Sequence, residues 1–177
     1  GGSEAPKAQT KEYNKPINLS NAELTREGYD FLGWSNDVNA EEAKYQKDAE
    51  YTENGDVTLY AIWKIHTFTI TYELKDGYRA EDFPSQEKKY GEDIRLIANA
   101  PKHDTMIFAG WALTEDSKTA SYHPNDIYDK NESATLYAIW KYPIIEITYN
   151  ANGGTGAPST QIKTPGVNIR ISNVIPT

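Results

Sequence analysis

The chain contains no cysteine, only three histidines and one methionine, and no long hydrophobic run. Without cysteine it has no disulfide framework, no thiolate metal ligand and no thiol nucleophile. This argues against eukaryotic extracellular modules, which often depend on disulfides, and fits a Gram-positive surface protein or a cytosolic one. No stretch has the pattern of a signal peptide or membrane span, so the sequence predicts no direct membrane insertion.

Clustered positive charge is also lacking. The formal net charge is −8, the sequence pI is near 4.9, and the longest basic run is Lys88-Lys89. A nucleic-acid partner needs a basic face to neutralise phosphates, so nucleic acid is not expected as a partner.

Residue patterns for catalysis are weak. His66, His103 and His123 are far apart in sequence, and none recurs in the earlier part of the chain. The adjacent carboxylates at 41–42 and 115–116 are expected in solvated turns. The sequence therefore predicts no enzyme, no catalytic residues and no cofactor.

Two oxygen-rich stretches, residues 36–39 and 125–129, resemble calcium ligands in composition only. Neither fits a twelve-residue calcium loop with its glycine at position six and glutamate at position twelve. Turn chemistry accounts for both stretches, so no metal site is predicted.

The chain is instead dominated by an internal repeat. The motif LYAIWK at residues 59–64 returns unchanged at 136–141. The same offset of 77 residues relates Gly33-Trp34 to Gly110-Trp111, and it also relates Ile70-Thr71-Tyr72 to Ile147-Thr148-Tyr149. A constant offset over most of the chain predicts tandem structural repeats.

Three repeats are predicted: 4–64, lacking its first strand; 65–141, complete; and 142–177, lacking its second half. Gly1-Gly2-Ser3 is interpreted as a cloning remnant and left out of the fold. On this interpretation the chain is a piece of a longer protein, and the unpaired edges of its end repeats predict either disorder or head-to-tail strand pairing between molecules.

Each repeat is predicted to contain four strands. In the second repeat, residues 67–74, 93–97 and 106–113 form the first three, and the residues equivalent to 58–63 form the fourth. The third repeat adds strands at 145–149 and 168–172. A short helix at residues 40–45 is also predicted, so the expected class is α+β but mainly β.

The joints between repeats are short. Residues 64–66 and 141–144 contain no Gly/Ser spacer, and Pro143 stiffens the second joint. Since flexible linkers need several glycines or serines, these joints predict a semi-rigid rod.

Two segments resemble a known family: GYDFLGW at 28–34 followed by DVTLYAIW at 56–63, and TYNANGG at 148–154 followed by Ala157-Pro158. They are similar to the Listeria–Bacteroides repeat, the internalin B-repeat type. The resemblance implies tandem β-grasp-like (ubiquitin-like) modules of bacterial surface proteins, outside the cell on its surface or wall, with no catalytic residues to carry over.

The repeated aromatic and aliphatic residues are predicted to form a core within each repeat, rather than to stack on sugars. These core candidates are Trp34, Trp63, Trp111, Trp140, Phe31, Phe108, Ile70 and Ile147. Four tyrosines remain as candidate ligand contacts: Tyr60, Tyr137, Tyr78 and Tyr142.

Two functions follow from this pattern. The first is a non-catalytic stalk or spacer with weak adhesion, whose partners are the neighbouring repeats. The alternative is an adhesin module that binds host glycan, mucin or a receptor protein through loops and tyrosines, strengthened by multivalency. Variation between repeats at 75–87 and 155–163 favours the stalk.

Overall fold

The computed structural model describes residues 2–74 and 83–177. Twelve strands and no helix are found within these ranges, so the protein is mainly β as predicted. The strands are β1 (Ile17–Asn18), β2 (Tyr29–Ser35), β3 (Glu50–Tyr51), β4 (Tyr60–Ile65), β5 (Thr67–Glu73), β6 (Gln86–Lys89), β7 (Ile94–Arg95), β8 (Ile107–Ala112), β9 (Ile127–Tyr128), β10 (Ala134–Lys141), β11 (Ile145–Ile147) and β12 (Gln161–Lys163).

The chain divides into two compact units. Unit 1 comprises Gly1–Phe68 with Glu87–Glu92, and unit 2 comprises Thr69–Gln86 with Asp93–Thr177. The predicted boundaries at 64/65 and 141/142 are repeat boundaries in sequence and stay a prediction.

A four-stranded sheet in the order β6-β5-β10-β8 organises the second repeat. β10 runs parallel to β5, with Ala134 opposite Ile70 and Leu136 opposite Tyr72, and antiparallel to β8. Because side chains alternate along β5, Ile70 and Tyr72 are buried while Thr69, Thr71 and Glu73 are exposed.

The core of unit 2 collects the inward residues of this sheet and of the small β7–β9 pair. Trp111, Tyr128, Ile70 and Leu136 are completely buried. The buried members are Ile70, Tyr72, Leu74, Phe83, Leu96, Trp111, Tyr128, Leu136 and Ala138.

Unit 1 repeats part of this geometry. Its strands β2 and β4 pair antiparallel, as do β1 and β3. The Leu19 N–H donates to Ala49 O at 2.9 Å, and at the equivalent position of the second repeat the Leu96 N–H donates to Asp126 O at 2.9 Å. The repeat seen in the sequence is therefore a repeat of main-chain hydrogen bonds.

A glycine bulge interrupts the central hairpin in both units. The strand register shifts between Phe31 and Gly33 in unit 1. In unit 2 it shifts between Phe108 and Gly110, which lie opposite Trp140 and Ile139. Gly33 and Gly110 have φ values of 130° and 126°, which residues other than glycine rarely adopt. The bulge turns the side chain of the following tryptophan inward. The main-chain N–H of Trp34 donates to Tyr45 O, and that of Trp111 donates to Tyr122 O, each at 2.7 Å.

The helix predicted at residues 40–45 is wrong. The amides of Lys44 and Tyr45 both donate to Trp34 O at 2.9 Å, so they belong to a strand bridge rather than to a helical turn. So short a segment also cannot form a helix without tertiary support. Because the described residues contain no helix, the α+β class is not confirmed.

Four strands per repeat is also too few, because residues 65–141 contain the six strands β5–β10. The prediction missed β6 and β9, which are short and, in β6, largely polar. In the third repeat residues 168–172 are not a strand. There the Ser172 N–H donates to side chains, Tyr149 Oη at 3.1 Å and Gln161 Oε1 at 2.9 Å.

The exclusion of Gly1-Gly2-Ser3 from the fold is wrong for its last two residues. Gly2 bridges to Arg26, and the Ser3 N–H donates to Thr25 O at 2.8 Å. The same bond recurs in the third repeat, where the Thr155 N–H donates to Thr177 O at 2.6 Å. Gly2 and Ser3 therefore occupy a regular position of the repeat.

The first joint lies inside unit 1. The His66 N–H donates to Gly28 O at 2.8 Å, and the Tyr90 N–H donates to His66 O at 2.9 Å. A Cβ on Gly28 would overlap the ring of Tyr90, so this close approach needs glycine. The Tyr90 hydroxyl also donates to Glu27 Oε1, which raises the pKa of Tyr90.

Candidate functional site

The candidate contact tyrosines do not share one environment. Tyr60 on β4 is 39% exposed and Tyr142 is 56% exposed, whereas Tyr137, the counterpart of Tyr60, is half-buried. Tyr78 lies outside the described residues. Tyr60 and its counterpart Tyr137 therefore differ in exposure, and their role as ligand contacts stays a prediction.

The tryptophans fall into two pairs. Trp34 and Trp111 are buried, and their indole Nε1 atoms have no hydrogen-bond partner among the described residues. Trp63 and Trp140 are half-buried, and Trp140 Nε1–H donates to Leu74 O at 3.0 Å.

Each unit joins its two tryptophans through a phenylalanine. Phe108 meets Trp111 at a ring-centroid distance of 4.9 Å and Trp140 at 5.7 Å. Phe31 lies between Trp34 and Trp63 at 5.2 and 5.4 Å. These edge and tilted contacts turn the rings towards one another, which is how aromatic side chains stabilise a small core.

The two isoleucines among the predicted core residues differ in burial. Ile70 is fully buried in unit 2, and Ile147 on β11 is half-buried. Ile147 pairs with Gln161 of β12 on one edge of its strand.

The histidines have separate partners. His66 Nε2 lies 2.9 Å from Asp30 Oδ1, and His123 Nδ1 lies 3.7 Å from Asp126 Oδ2. His103 Nδ1 accepts the Thr105 N–H at 3.0 Å, and its ring lies 5.2 Å from that of Trp140. No cluster of three His, Asp or Glu suited to a metal is found in residues 2–74 and 83–177.

The oxygen-rich stretches form turns. Asp37 Oδ1 accepts the Asn39 N–H at 2.9 Å, and Asn125 adopts a φ of 67°. Both features are typical of Asx turns and left-handed turn residues.

A charged cluster in unit 1 escaped the sequence analysis. Glu53 Oε1 accepts the Tyr45 hydroxyl at 2.6 Å and Lys44 Nζ at 3.0 Å. These bonds, first from Tyr45 and then from Lys44, lower the pKa of Glu53. The pKa of Lys44 is raised, first by its side-chain hydrogen bond with Tyr45 and then by the one with Glu53. The corresponding residues of unit 2 are Ser121, Tyr122 and Lys130, so the cluster is not copied.

A cleft of about 740 Å³ lies in unit 1. Residues 5–13 and 54–59 line it, together with residues that include Leu19, Trp34 and Tyr51. No sequence signal marked it, because these last three residues belong to the repeated core pattern.

Within the described ranges, no helix is long and apolar enough to cross a lipid bilayer.

Comparison with known proteins identifies relatives over most of the chain. Internalin H of Listeria monocytogenes is 28% identical over 142 residues, covering 79% of this chain and 23% of its own. A "Putative membrane protein" of Evansella cellulosilytica is 32% identical over 127 residues, covering 72% of this chain and 18% of its own. The chain thus spans about a fifth of the length of these relatives. No solved structure matches it.

Two tandem segments, residues 1–62 and 68–139, match the Listeria-Bacteroides repeat domain. The match begins within the glycines that precede Ser3 and takes in both glycine bulges and both LYAI motifs. The chain belongs to the Listeria-Bacteroides repeat domain family.

Proposed function

We propose that the chain is a non-catalytic spacer in a bacterial surface protein, a semi-rigid stalk that holds other domains away from the cell. The observation that carries this is the contrast between core and surface. Main-chain bonds, the bulge and the aromatic core recur between the units, whereas the surface chemistry of Glu53 and Lys44 does not. A site selected for a ligand would be expected in every copy.

The joint supports stiffness. His66 and Tyr90 tie the start of the second repeat to Gly28 of the first by main-chain hydrogen bonds within unit 1. In tandem arrays, such contacts between neighbours add to the stability of each repeat.

The relatives support a place outside the cell, since one is named an internalin and the other a membrane protein. The sheet order, with its parallel pair β5–β10 at the centre, supports a β-grasp-like classification of the repeat.

The spacer proposal is tested by measuring how the length of the protein grows with the number of repeats. Extra copies of residues 65–141 are inserted after Lys141 of the whole chain, and the maximum dimension is measured by small-angle X-ray scattering. A compact repeat of this size has a diameter of ~30 Å, so each copy should add about that length. A control carries several Gly and Ser residues at each joint and should extend less per copy, because a flexible chain grows roughly as the square root of its length. Equal increments in the two series would contradict a stiff stalk.

An adhesin remains the second candidate, favoured by the exposure of Tyr60 and Tyr142. Weak binding by such side chains would gain from copy number. The ligand of an adhesin would be a host glycan or surface protein. Binding assays on the intact chain distinguish this function from that of a spacer.

A further inference from the structure

The chain contains two Asn-Gly pairs, Asn54-Gly55 and Asn152-Gly153, and all four residues are exposed to solvent. Both glycines have positive φ values, 121° and 95°, and nothing lies within 4 Å of the place that a Cβ on either would take. A glycine in open space leaves its main-chain nitrogen accessible to the side chain of the preceding asparagine. Both pairs therefore present the same reactive group to water.

An asparagine that precedes glycine is able to react with the main chain that follows it. The glycine nitrogen loses its proton and attacks Cγ of the asparagine, a C–N bond forms, and the side-chain nitrogen leaves as ammonia. Water then opens the resulting five-membered succinimide at either carbonyl, which gives aspartate or isoaspartate. The attack requires the asparagine side chain to rotate towards the next nitrogen, so hydrogen bonds that hold this side chain elsewhere slow the reaction.

The side chain of Asn54 is held at three points. Its Oδ1 accepts hydrogen bonds from Lys11 Nζ at 2.9 Å and from the main-chain N–H of Asn14 at 2.9 Å, and its Nδ2 donates to Asn14 Oδ1 at 2.8 Å. Rotation of Cγ towards Gly55 would disturb all three bonds, and each lost bond raises the barrier to succinimide formation. Lys11 and Asn14 therefore hold Asn54 away from the reaction.

The side chain of Asn152 makes no hydrogen bond in the part of the chain that the structure describes, although its main-chain N–H donates to Asn150 Oδ1 at 2.8 Å. The Gly154 N–H donates to Ala151 O at 3.0 Å, and Asn152 and Gly153 have φ values of 47° and 95°. These features are typical of a type I′ turn. Opening this turn breaks a main-chain hydrogen bond but none of the Asn152 amide, so we expect a lower barrier than at the other pair.

We propose that Asn152 is a site of spontaneous modification, at which Gly153 displaces ammonia and water leaves aspartate or isoaspartate, while Lys11 and Asn14 protect Asn54 from the same reaction. Either product adds a negative charge to a chain whose formal net charge is already −8. Isoaspartate also carries the main chain through its former side chain, which adds a carbon atom to the turn. A turn lengthened in this way does not close again in its original form.

Peptide mapping of the intact chain tests the proposal. The folded protein is kept in mildly alkaline buffer at physiological temperature and digested in acid to halt the reaction, and the two Asn-Gly peptides are quantified by mass spectrometry. Electron-transfer fragmentation separates isoaspartate from aspartate. We expect the peptide containing Asn152 to convert several-fold faster than the peptide containing Asn54. In guanidinium chloride, where the chain is unfolded, the two rates should be similar, because glycine follows both asparagines.

A variant that releases Asn54 provides the second measurement. Lys11→Met with Asn14→Gly removes two of its three hydrogen bonds, and the second repeat already carries glycine, Gly91, at the position of Asn14. The modification rate of Asn54 should rise several-fold, whereas that of Asn152 should not change. The matched control Lys47→Met removes an exposed lysine that pairs with Glu23 instead, and it should alter neither rate. Circular dichroism shows whether each variant is folded.

Two results would overturn the inference. One is a rate for Asn152 in the folded, unaltered chain that is no higher than the rate for Asn54. The other is an unchanged rate for Asn54 in the folded double variant, which would show that its hydrogen bonds give no protection. The first comparison needs no substitution, so it decides even where a variant fails to fold.

Discussion

Gly33 lies directly against the carbonyl group of Tyr45, so a Cβ at this position would overlap that oxygen and lie 2.9 Å from Ala43 Cβ. The same contact recurs between Gly110 and Tyr122, where the added Cβ would be 2.9 Å from the carbonyl oxygen. This approach places the following tryptophan in the core of each unit.

Gly33→Ala should therefore destabilise the protein by about 2–4 kcal/mol, since it adds a steric clash to a strained backbone. Gly55→Ala is the matched control: its φ is 121°, but nothing lies within 4 Å of the added Cβ. It should cost only the backbone strain, about 1–2 kcal/mol. Urea unfolding followed by tryptophan fluorescence measures both, and equal losses would show that the close approach does not matter.

Tyr72 and Gln86 should act as one unit. The Tyr72 hydroxyl donates to Gln86 Oε1 and accepts the Ile97 N–H at 3.1 Å, and Gln86 Nε2 donates to Arg95 O at 2.9 Å. Tyr72→Phe and Gln86→Ala should each cost about 1–3 kcal/mol, because the buried Tyr72 and the half-buried Gln86 share a hydrogen bond that either change removes. Their effects should be less than additive in a double-mutant cycle. Gln9→Ala, which removes one exposed bond, should cost less than either, and full additivity would argue against a shared network.

Replacing the equivalent leucines Leu59 and Leu136 by alanine should lower the free energy of unfolding by different amounts. Leu136 is completely buried whereas Leu59 is half-buried beside the cleft. Leu136→Ala should cost about 3–5 kcal/mol and Leu59→Ala about 1–2 kcal/mol, because less apolar surface is buried at Leu59. Chemical unfolding of both variants at low micromolar concentration checks this, and equal costs would mean that the cleft is closed in solution.

Acid should weaken unit 1 through Glu53. Its folded pKa lies below the ordinary value of 4.5 because it accepts hydrogen bonds from Tyr45 and Lys44. The ionised group therefore stabilises the fold above pH 4.5, and this contribution is lost as the pH falls through the folded pKa. Glu53→Gln should lower the melting temperature at neutral pH but change it little in strong acid, where both forms are uncharged. Glu50→Gln, an exposed carboxylate outside the cluster, is the control, and a pH-independent effect of Glu53→Gln would contradict the account.

The intact chain should show no saturable binding to mucin, a glycan array or epithelial cells at high micromolar concentration. The reason is that the exposed Tyr60 has a half-buried counterpart in Tyr137, so the repeat does not multiply one site. Biolayer interferometry gives the measurement. Saturable binding that disappears in a folded Tyr60→Ala/Tyr137→Ala variant would favour the adhesin.

Much of the fold could be predicted from repetition and alternation. β5 was evident because Ile70, Tyr72 and Leu74 alternate with polar residues, and β10 because LYAIW repeats. β6 was missed because its sequence, Gln-Glu-Lys-Lys, has no apolar face, although its Lys88 is 1% exposed. The helix at residues 40–45 was wrong because its amides bond to Trp34 in the preceding strand, which local propensity does not reveal.

The candidate site was less predictable. The Glu53–Tyr45–Lys44 cluster joins side chains across a turn, and its spacing matches no known pattern. The cleft depends on which strand lies beside residues 57–59, a question of tertiary pairing. Single-sequence periodicity reports the face of a strand but not its neighbour.

The most direct test of the spacer function is to delete this chain from a surface protein on a living cell, or to replace it there by an unrelated rod. A surface protein carrying this chain is displayed on a Gram-positive bacterium, and adhesion through its outermost domain is measured for three forms: with the chain, without it, and with an unrelated stiff rod of equal length. The account predicts that deletion reduces adhesion and that the unrelated rod restores it fully. Failure of the rod to restore adhesion, with display levels equal, would contradict the account and assign binding to the repeats themselves.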